Sequence, residues 1–281
     1  MNDRDNPVVV GQQYQGRVLV VAGSDPSGGA GIQADIKTIT VLGGYAATAI
    51  TALTIQNTLG VTDVMPVSAD VVVSQMKAVL SDIGADAVKI GMLHDVGVIE
   101  AVVETLHAVQ FDGAVIVDPV MVATSGDHLL EDDAVESLIS ELLPLATLVT
   151  PNIPEAEVLS GLEIKTVEDM RAAAVAILAL GPQAVLIKGG HLQADQLVDI
   201  LLTSDGEEMQ IESIRLDTRH THGTGCTLAS AIATGMACGE NIELAFSHGQ
   251  AFVRAAIEHA PGFGGGNGPL GHAAVFASKE Q

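Results

Sequence analysis

Aromatic residues and cysteines are scarce in this chain of 281 residues. Tryptophan is absent and aromatic residues make up 2% of the sequence, whereas hydrophobic residues make up 48%. The core must therefore be aliphatic, as is typical of helices packed on a parallel sheet. The two cysteines, Cys226 and Cys238, are too few for a disulfide framework, so we expect a reducing, cytoplasmic location.

Positive charge is also scarce. The chain has 12 Lys and Arg residues against 35 Asp and Glu residues, which gives a formal net charge of -23. Such a surface repels nucleic acids and anionic membranes, so we expect neither as a partner. It also repels ATP at long range, and a nucleotide site would need local donors such as backbone N–H groups, a few lysines and a metal. The simpler interpretation of the charge is solubility alone.

Signals for export or membrane insertion are missing from the sequence. The N-terminal segment has no basic region followed by a long apolar run, and no apolar run approaches the roughly 20 residues that span a bilayer. No linker or internal repeat interrupts the chain. We therefore interpret residues 1–16 as a flexible arm and residues 17–281 as one domain.

Short apolar runs alternate with longer helical patterns along the chain. This alternation predicts an α/β fold in which helices cover both faces of a mostly parallel sheet. A first helix is predicted to place Ile32, Ile36, Ile39 and Gly43 on one face. The remaining predicted elements are strands over 17–22, 46–55, 87–90, 114–117, 146–150 and 184–188, a hairpin of 197–203 with 209–214, and helices over 69–83, 96–109, 132–143, 167–180, 224–238 and 242–259.

The loop over residues 23–31 (GSDPSGGAG) joins the first strand to the first helix. Ligands bind beyond the carboxyl ends of the strands in open parallel sheets, and glycines let the backbone approach them. The loop is neither a Walker A loop nor a Gly-x-Gly-x-x-Gly turn, because the required spacing and lysine are absent. A binding loop and an ordinary tight turn are both compatible with it.

Three further strand ends carry polar residues. Asp118 follows the strand over 114–117, where a carboxylate suits a metal-bound water, although a helix cap or surface acid fits equally well. Asn152 and Glu155 suit the water shell of magnesium or an ordinary capping box. Lys188 ends a buried strand, where a lysine is costly unless it meets an anion such as a phosphate.

The segment Gly223, Thr224, Gly225 and Cys226 opens a predicted helix. Consecutive small residues there direct several N–H groups to one point, which suits a transferring phosphoryl group. Cys226 lies in the first turn, where the helix dipole is expected to lower the pKa of the thiol and prepare it to accept a proton. A lone cysteine usually packs as a small apolar residue, which is our interpretation of Cys238.

Together these segments resemble the hydroxymethylpyrimidine/phosphomethylpyrimidine kinase family of the ribokinase-like superfamily. The resemblance covers residues 18–269. It implies a three-layer α/β/α fold, a homodimer, and two successive ATP- and magnesium-dependent phosphorylations of a pyrimidine in thiamine biosynthesis. The motifs that carry it are AGSDPSGGAGIQADIKT (22–38), KIGML (89–93), TPNIPEAE (150–157), KGGH (188–191) and THGTGCTLASA (221–231).

The resemblance also implies roles for individual residues. Gln56 matches the position that reads the hydrogen-bonding edge of the pyrimidine, because a primary amide offers a donor and an acceptor together. Cys226 matches the catalytic base, beside the anion hole of Gly223, Thr224 and Gly225. Other substrate-pocket positions are Gly23, Ala30, Asp35, Met92 and Val120, and the magnesium and nucleotide positions are Asp118, Asn152, Glu155 and Lys188.

Two alternatives stay open at this point. A pyridoxal-type kinase uses the same scaffold, and its substrate also carries a hydroxymethyl group on a nitrogen heterocycle. A non-catalytic pyrimidine sensor would keep the pocket and lose anion-hole or metal residues, or gain a DNA-binding appendage. The anion-hole segment and Lys188 are retained here and no appendage is visible, so the sensor is the weaker alternative.

Overall fold

The computed structural model describes residues 15–121, 133–191 and 196–273. Most of the predicted N-terminal arm lies outside these residues, so the arm and the domain boundary stay predictions. Within the described residues, no helix is both long enough and apolar enough to cross a membrane.

One nine-stranded sheet organises the described chain, in the order β3-β2-β1-β4-β5-β6-β7-β8-β9. Neighbouring strands from β2 to β7 pair in parallel, while β3, β8 and β9 add antiparallel edges. The predicted mostly parallel sheet is therefore confirmed. The strands are β1 Arg17–Ser24, β2 Tyr45–Asn57, β3 Gly60–Pro66, β4 Ala87–Ile90, β5 Ala114–Val117, β6 Leu148–Val149, β7 Ala184–Ile187, β8 Gln196–Thr203 and β9 Glu208–Ile214.

Helices cover both faces of the sheet. The strand β1 shows why, because its alternate side chains enter different cores: Leu19 and Val21 face one cluster, and Val18 and Val20 face the other. Both clusters are largely aliphatic, as the composition predicts. The helices are α1 Gly31–Val41, α2 Ala69–Asp82, α3 Val96–Ala108, α4 Ala134–Ser137, α5 Ile153–Ser160, α6 Val167–Leu178, α7 Thr224–Ala237 and α8 Ile242–Glu258.

The first predicted helix face is partly wrong. Ile32 and Ile39 are buried, but Ile36 is 38% exposed and Gly43 lies beyond the end of α1. The buried face of α1 runs through Asp35 instead, an aspartate that an apolar pattern does not count. The helix expected over 132–143 is α4 followed by a π-helical turn at Leu138–Leu142, and the strand expected over 146–150 is two residues long.

Two elements were not predicted from the sequence. The strand β3 is mostly exposed and antiparallel to β2, so its sequence lacks a buried apolar run. The helix α5 begins after Asn152 and contains Pro154; the possible capping box at Asn152 and Glu155 was its signal, but no helix was predicted there. Proline is tolerated in the first turn of a helix, because that N–H group has no intrahelical partner.

A fully buried ion pair joins the sheet to two helices. Lys89 in β4 and Asp35 in α1 have side chains that are 0% exposed, and Lys89 Nζ lies 3.0 Å from Asp35 Oδ1. Ser230 in α7 donates a hydrogen bond of 2.7 Å to the same carboxylate. Burial lowers the pKa of the Lys89 ammonium, but the Asp35 carboxylate more than reverses this, so the pKa is raised and the lysine stays charged.

Replacing Lys89 by Met should lower the free energy of unfolding by about 3–5 kcal/mol, because Asp35 then becomes an unpaired buried charge. Urea unfolding curves measure this loss. The matched control is Lys165→Met, since the Lys165–Glu163 pair has side chains that are 70% and 71% exposed. The control should change stability little. Equal losses in the two variants would contradict the importance of the buried pair.

Candidate active site

A cavity of about 1140 Å³ opens beyond the carboxyl ends of the parallel strands, next to the start of α7. This is where ligands bind in open parallel sheets. The structure brings thirteen of the fourteen predicted site residues to its wall. They are Gly23, Ala30, Gln56, Met92, Asp118, Val120, Asn152, Glu155, Lys188, Gly223, Thr224, Gly225 and Cys226.

Asp35 is the exception, because it does not line the cavity. It is 0% exposed and binds Lys89 and Ser230. Lys89 does line the cavity, so Asp35 reaches the site only through this lysine. This placement supports a role in which Asp35 holds Lys89 in position, and it gives no support to direct contact between Asp35 and a substrate.

The loop between β1 and α1 is held from within by Asp25, which is buried. Its carboxylate accepts backbone N–H groups from Ser27 at 2.8 Å, Gly29 at 3.2 Å and Ala30 at 2.8 Å. Burial raises the pKa of this carboxyl, but hydrogen bonds from His222, Ser27 and Ala30 outweigh burial, so the pKa is below its usual range. The loop therefore has a fixed shape that an ordinary tight turn would not need.

One end of the cavity carries neutral hydrogen-bonding groups. Gln56, near the end of β2, is half-buried, and its Oε1 lies 3.2 Å from Thr54 Oγ1. Its Nε2 lies 3.4 Å from Nε2 of His222. Gly23 and Met92 stand close together at the same end, since a Cβ at Gly23 would lie 3.1 Å from Met92 Sδ. Amide and apolar groups side by side suit a small heterocycle.

The other end carries charge. Lys188 Nζ lies 2.9 Å from Asp118 Oδ1, and Thr150 Oγ1 donates to the same oxygen at 3.2 Å. Burial raises the pKa of Asp118, but Lys188 and Lys89 outweigh burial, so the pKa is lowered and the carboxyl stays ionised. The anion that a lysine at the end of a buried strand requires is thus Asp118.

Glu155 lies beside this pair. Burial, together with the nearby Asp118 charge, raises the pKa of the Glu155 carboxyl to about 7, although Lys188 opposes the shift. Asn152 and Glu155 form a reciprocal capping box at the start of α5, in which Glu155 N–H donates to Asn152 Oδ1 at 3.0 Å and Asn152 N–H donates to Glu155 Oε2 at 2.8 Å. The capping box, which was one of the two interpretations of these residues, is therefore present. Glu155 takes part in it and also lines the cavity.

The donor set at this end fits magnesium. Asp118 and Glu155 offer hard carboxylate oxygens, and magnesium is usually held by one or two carboxylates together with waters and substrate phosphates. Among the described residues, no group of three or more His, Cys, Asp or Glu side chains is placed to hold a metal by itself. A magnesium ion here would therefore depend on the nucleotide for the rest of its ligands.

The start of α7 faces the cavity between these two ends. Gly223 is the N-cap with a φ of 85°, and the first-turn N–H groups that follow have no partner within the helix, although that of Thr224 donates to the Thr221 carbonyl at 3.2 Å. These groups and the helix dipole favour an anion. A Cβ at Gly223 would lie 1.9 Å from the carbonyl oxygen of Gly29, so the start of α7 and the first loop touch.

The expected direction of the Cys226 pKa is wrong. The pKa of this thiol is raised to about 11, because burial and the neighbouring Asp35 and Asp118 carboxylates together outweigh the opposing effect of Lys89. A dipole at the helix start does not overcome burial among carboxylates. Cys226 therefore stands protonated at neutral pH in the free protein.

A comparison of the whole chain with known families decides the assignment. Residues 25–271 match the model of the phosphomethylpyrimidine kinase family. The chain belongs to the phosphomethylpyrimidine kinase family.

Individual members and relatives of this family are similar over almost the whole chain. The hydroxymethylpyrimidine/phosphomethylpyrimidine kinase of Streptomyces coelicolor is 47% identical over 91% of this chain and 93% of its own. A phosphomethylpyrimidine kinase structure from Clostridium difficile has a TM-score of 0.75 and 42% identity, covering 86% of this chain and 99% of that one. The ADP complex of Bacillus subtilis pyridoxal kinase has a TM-score of 0.85 and 37% identity, covering 93% and 99%.

Several residues of the site in this family member were not singled out from the sequence. Lys89 lies within the motif KIGML. A lysine inside a short apolar strand could have indicated a buried charge with a partner near the site. Asp25 and His222 stand within two other motifs, but 197 positions separate them, and only the fold shows that they form a contact of 2.9 Å.

The contact between α7 and the first loop can be tested with two glycines that flank α7. Gly223→Ala and Gly239→Ala each place alanine at a positive φ, of 85° and 90°, which costs about 1–2 kcal/mol. Only Gly223→Ala also collides with Gly29, because nothing lies within 4 Å of a Cβ at Gly239. We expect Gly223→Ala to lose about 1–3 kcal/mol more in urea unfolding. Similar losses would contradict the close contact.

Proposed function

We propose that this chain is an ATP-dependent kinase that phosphorylates 4-amino-5-hydroxymethyl-2-methylpyrimidine and then its monophosphate, in thiamine biosynthesis. The observation that carries the proposal is a single cavity that joins three parts: an amide end at Gln56, a charged end at Lys188, and the start of α7 with Cys226 between them. Both cysteines are free thiols, which suits a reducing cytoplasm.

The amide end suits the pyrimidine. An aminopyrimidine presents a donor and an acceptor side by side, and the Gln56 carboxamide offers the complementary pair. Gly23, Ala30, Met92 and Val120 supply an apolar and backbone surface for the ring. The hydroxymethyl group of a ring bound there points along the cavity toward α7.

The charged end suits the nucleotide phosphates. Lys188 exchanges its contact with Asp118 for a phosphate, and Asp118 and Glu155 are then free to hold magnesium, through water or directly. Magnesium, when bound, neutralises phosphate charge. Lys188 and the N–H groups at the start of α7 supply the local donors that an anion needs in a molecule whose net charge is -23.

Transfer takes place at the start of α7. The substrate hydroxyl oxygen forms a bond to the γ-phosphorus of ATP, the bond from that phosphorus to the β-phosphate oxygen breaks, and ADP leaves. The thiolate form of Cys226 accepts the hydroxyl proton and becomes the thiol, and the N–H groups at the start of α7 stabilise the charge on the migrating phosphoryl group. Positioning and charge stabilisation supply most of the catalysis.

A pyridoxal-type kinase is the second candidate. The specific observation that favours it is the structural similarity to a pyridoxal kinase. Such a substrate also presents a hydroxymethyl group on a nitrogen heterocycle, and it would occupy the same cavity with a different hydrogen-bonding edge.

A homodimer is proposed as the assembly. The antiparallel ribbon of β2 and β3 exposes Leu53, Ile55 and Met65, which are 41%, 58% and 65% exposed, and Leu53 pairs with Met65 across the ribbon. Apolar side chains grouped on one ribbon are typical of a protein–protein contact. Light scattering of the purified chain measures the mass, and a monomer would contradict this assembly.

Purified protein incubated with ATP, magnesium and the pyrimidine should yield a monophosphate and then a diphosphate, followed by mass spectrometry. A parallel incubation with pyridoxal compares the second candidate directly. Turnover of pyridoxal in preference to the pyrimidine would replace the first proposal by the second. Binding of the pyrimidine without any product would favour a sensor.

Replacing Cys226 by Ala should reduce turnover by about 10²–10⁴-fold, the usual contribution of a positioned base, while the affinity for ATP stays near that of the wild type. The matched control is Cys238→Ala, at the other end of α7, which should stay active. Unchanged turnover in Cys226→Ala would remove this thiol from the role of base.

The pH dependence gives an independent test of the same role. The active form of a base is the thiolate, and a pKa of about 11 means that its fraction grows with pH throughout the neutral range. We therefore expect kcat/KM of the wild type to rise from pH 8 to pH 10, where Glu155 with its pKa of about 7 is already ionised, and the rise to disappear in Cys226→Ala. A wild-type profile that is flat or falls would contradict the assignment.

A further inference from the structure

His222 is a buried side chain that the proposed transfer does not use. It is 5% exposed, precedes the N-cap of α7, and lines the same cavity. Its Nε2 lies 2.9 Å from Asp25 Oδ2 and 3.4 Å from Gln56 Nε2. One ring nitrogen thus contacts both the carboxylate that holds the first loop and the amide that faces the substrate.

The partner of His222 fixes where its proton lies. Asp25 is ionised and can only accept hydrogen bonds, and it already accepts three backbone N–H groups. A contact of 2.9 Å to this carboxylate therefore requires a proton on Nε2 of His222. In both the neutral Nε2–H tautomer and the imidazolium, His222 Nε2 is a donor.

This donor decides how the Gln56 amide is turned. An NH2 group placed 3.4 Å from the imidazole N–H would set two donors against each other. The oxygen and nitrogen of a carboxamide are assigned from their hydrogen bonds, so the amide turns to place Oε1 toward His222. Its NH2 group then faces Thr54 Oγ1, which is free to accept because the Thr54 hydroxyl donates to the Ser24 carbonyl at 3.0 Å.

We propose that His222, held by Asp25, is the positioning residue that sets the orientation of the Gln56 amide and thereby selects the hydrogen-bonding edge of the ring. The inference rests on the proposed function and adds a specificity determinant to it. A ring is accepted when its donor and acceptor follow the order that the fixed amide presents. A ring with the opposite order, or with one of the two groups missing, meets an unmatched polar atom.

The neighbourhood of His222 supports a positioning role. A Cβ at Gly29 would lie 2.2 Å from Cδ2 of His222, so the first loop closes on one face of the imidazole. The backbone N–H of His222 donates to the Gly268 carbonyl at 3.1 Å. The first loop therefore limits the movement of the ring, and the bond to Gly268 fixes the backbone that carries it, as a residue that orients another side chain requires.

The test is a double-mutant cycle between His222 and Gln56, measured as the Kd of 4-amino-5-hydroxymethyl-2-methylpyrimidine by calorimetry without ATP, and as KM and kcat with ATP. His222→Leu should weaken pyrimidine binding about tenfold, the size expected for one oriented hydrogen bond, with kcat and the KM for ATP little changed. His222→Gln keeps an N–H donor and should recover most of the loss. In a Gln56→Ala background, His222→Leu should have little further effect.

The matched control is His272→Leu. His272 is also buried and bonds to Thr227 of α7 at 2.9 Å, but it does not line the cavity. It should leave the Kd of the pyrimidine unchanged. Thermal unfolding of each variant separates a loss of folding from a loss of recognition, and His222→Gln keeps the test decisive if His222→Leu does not fold.

If the losses of pyrimidine binding free energy simply add in the double variant, the proposed role of His222 is wrong. The same holds if His222→Leu raises the KM for ATP as much as the KM for the pyrimidine. Neither result would contradict the proposed function, provided that the wild type phosphorylates the pyrimidine. Wild-type protein that binds the pyrimidine and forms no product would overturn the proposed function, and the cycle measured on Kd would still decide the role of His222.

Discussion

The buried ion pair between Lys89 and Asp35 is the interaction on which the rest of the site depends. It joins β4 to α1, and Ser230 extends it to α7. The first turns of α1 and α7 contribute to the walls of the cavity, so their positions relative to the sheet set its width. Since separating the two buried charges would leave each of them without its nearest partner, the pair favours the arrangement of the three elements that keeps Lys89 on Asp35.

The fold was largely predictable because its central strands are short, apolar and buried on both faces. The strands β4 and β5 have the predicted bounds for this reason. The edge strand β3 was harder to predict, since it is mostly exposed and has no buried apolar run that would mark it as a strand. Ile36 shows the same limit within a helix: the pattern of apolar residues indicated one face, but the ion pair turned Asp35 inward.

The loops that form the site were predictable from the sequence, whereas the protonation states of its residues were less so. Strand ends converge by topology, so residues that follow different strands were expected to meet, and thirteen of them do line one cavity. The pKa of Cys226 was not predictable in this way. The dipole of α7 is visible in the sequence, whereas the burial and the carboxylates of Asp35 and Asp118 come from distant segments and act in the opposite direction.

The raised pKa of Cys226 also affects how the protein withstands oxidants. Peroxides and electrophiles react with the thiolate and hardly with the thiol. A cavity that keeps Cys226 protonated, and only half-exposed, therefore shields this side chain chemically while it awaits a substrate. A thiol with a lowered pKa would be present more often as the thiolate that accepts a proton, but that thiolate would also be open to sulfenic acid formation between turnovers.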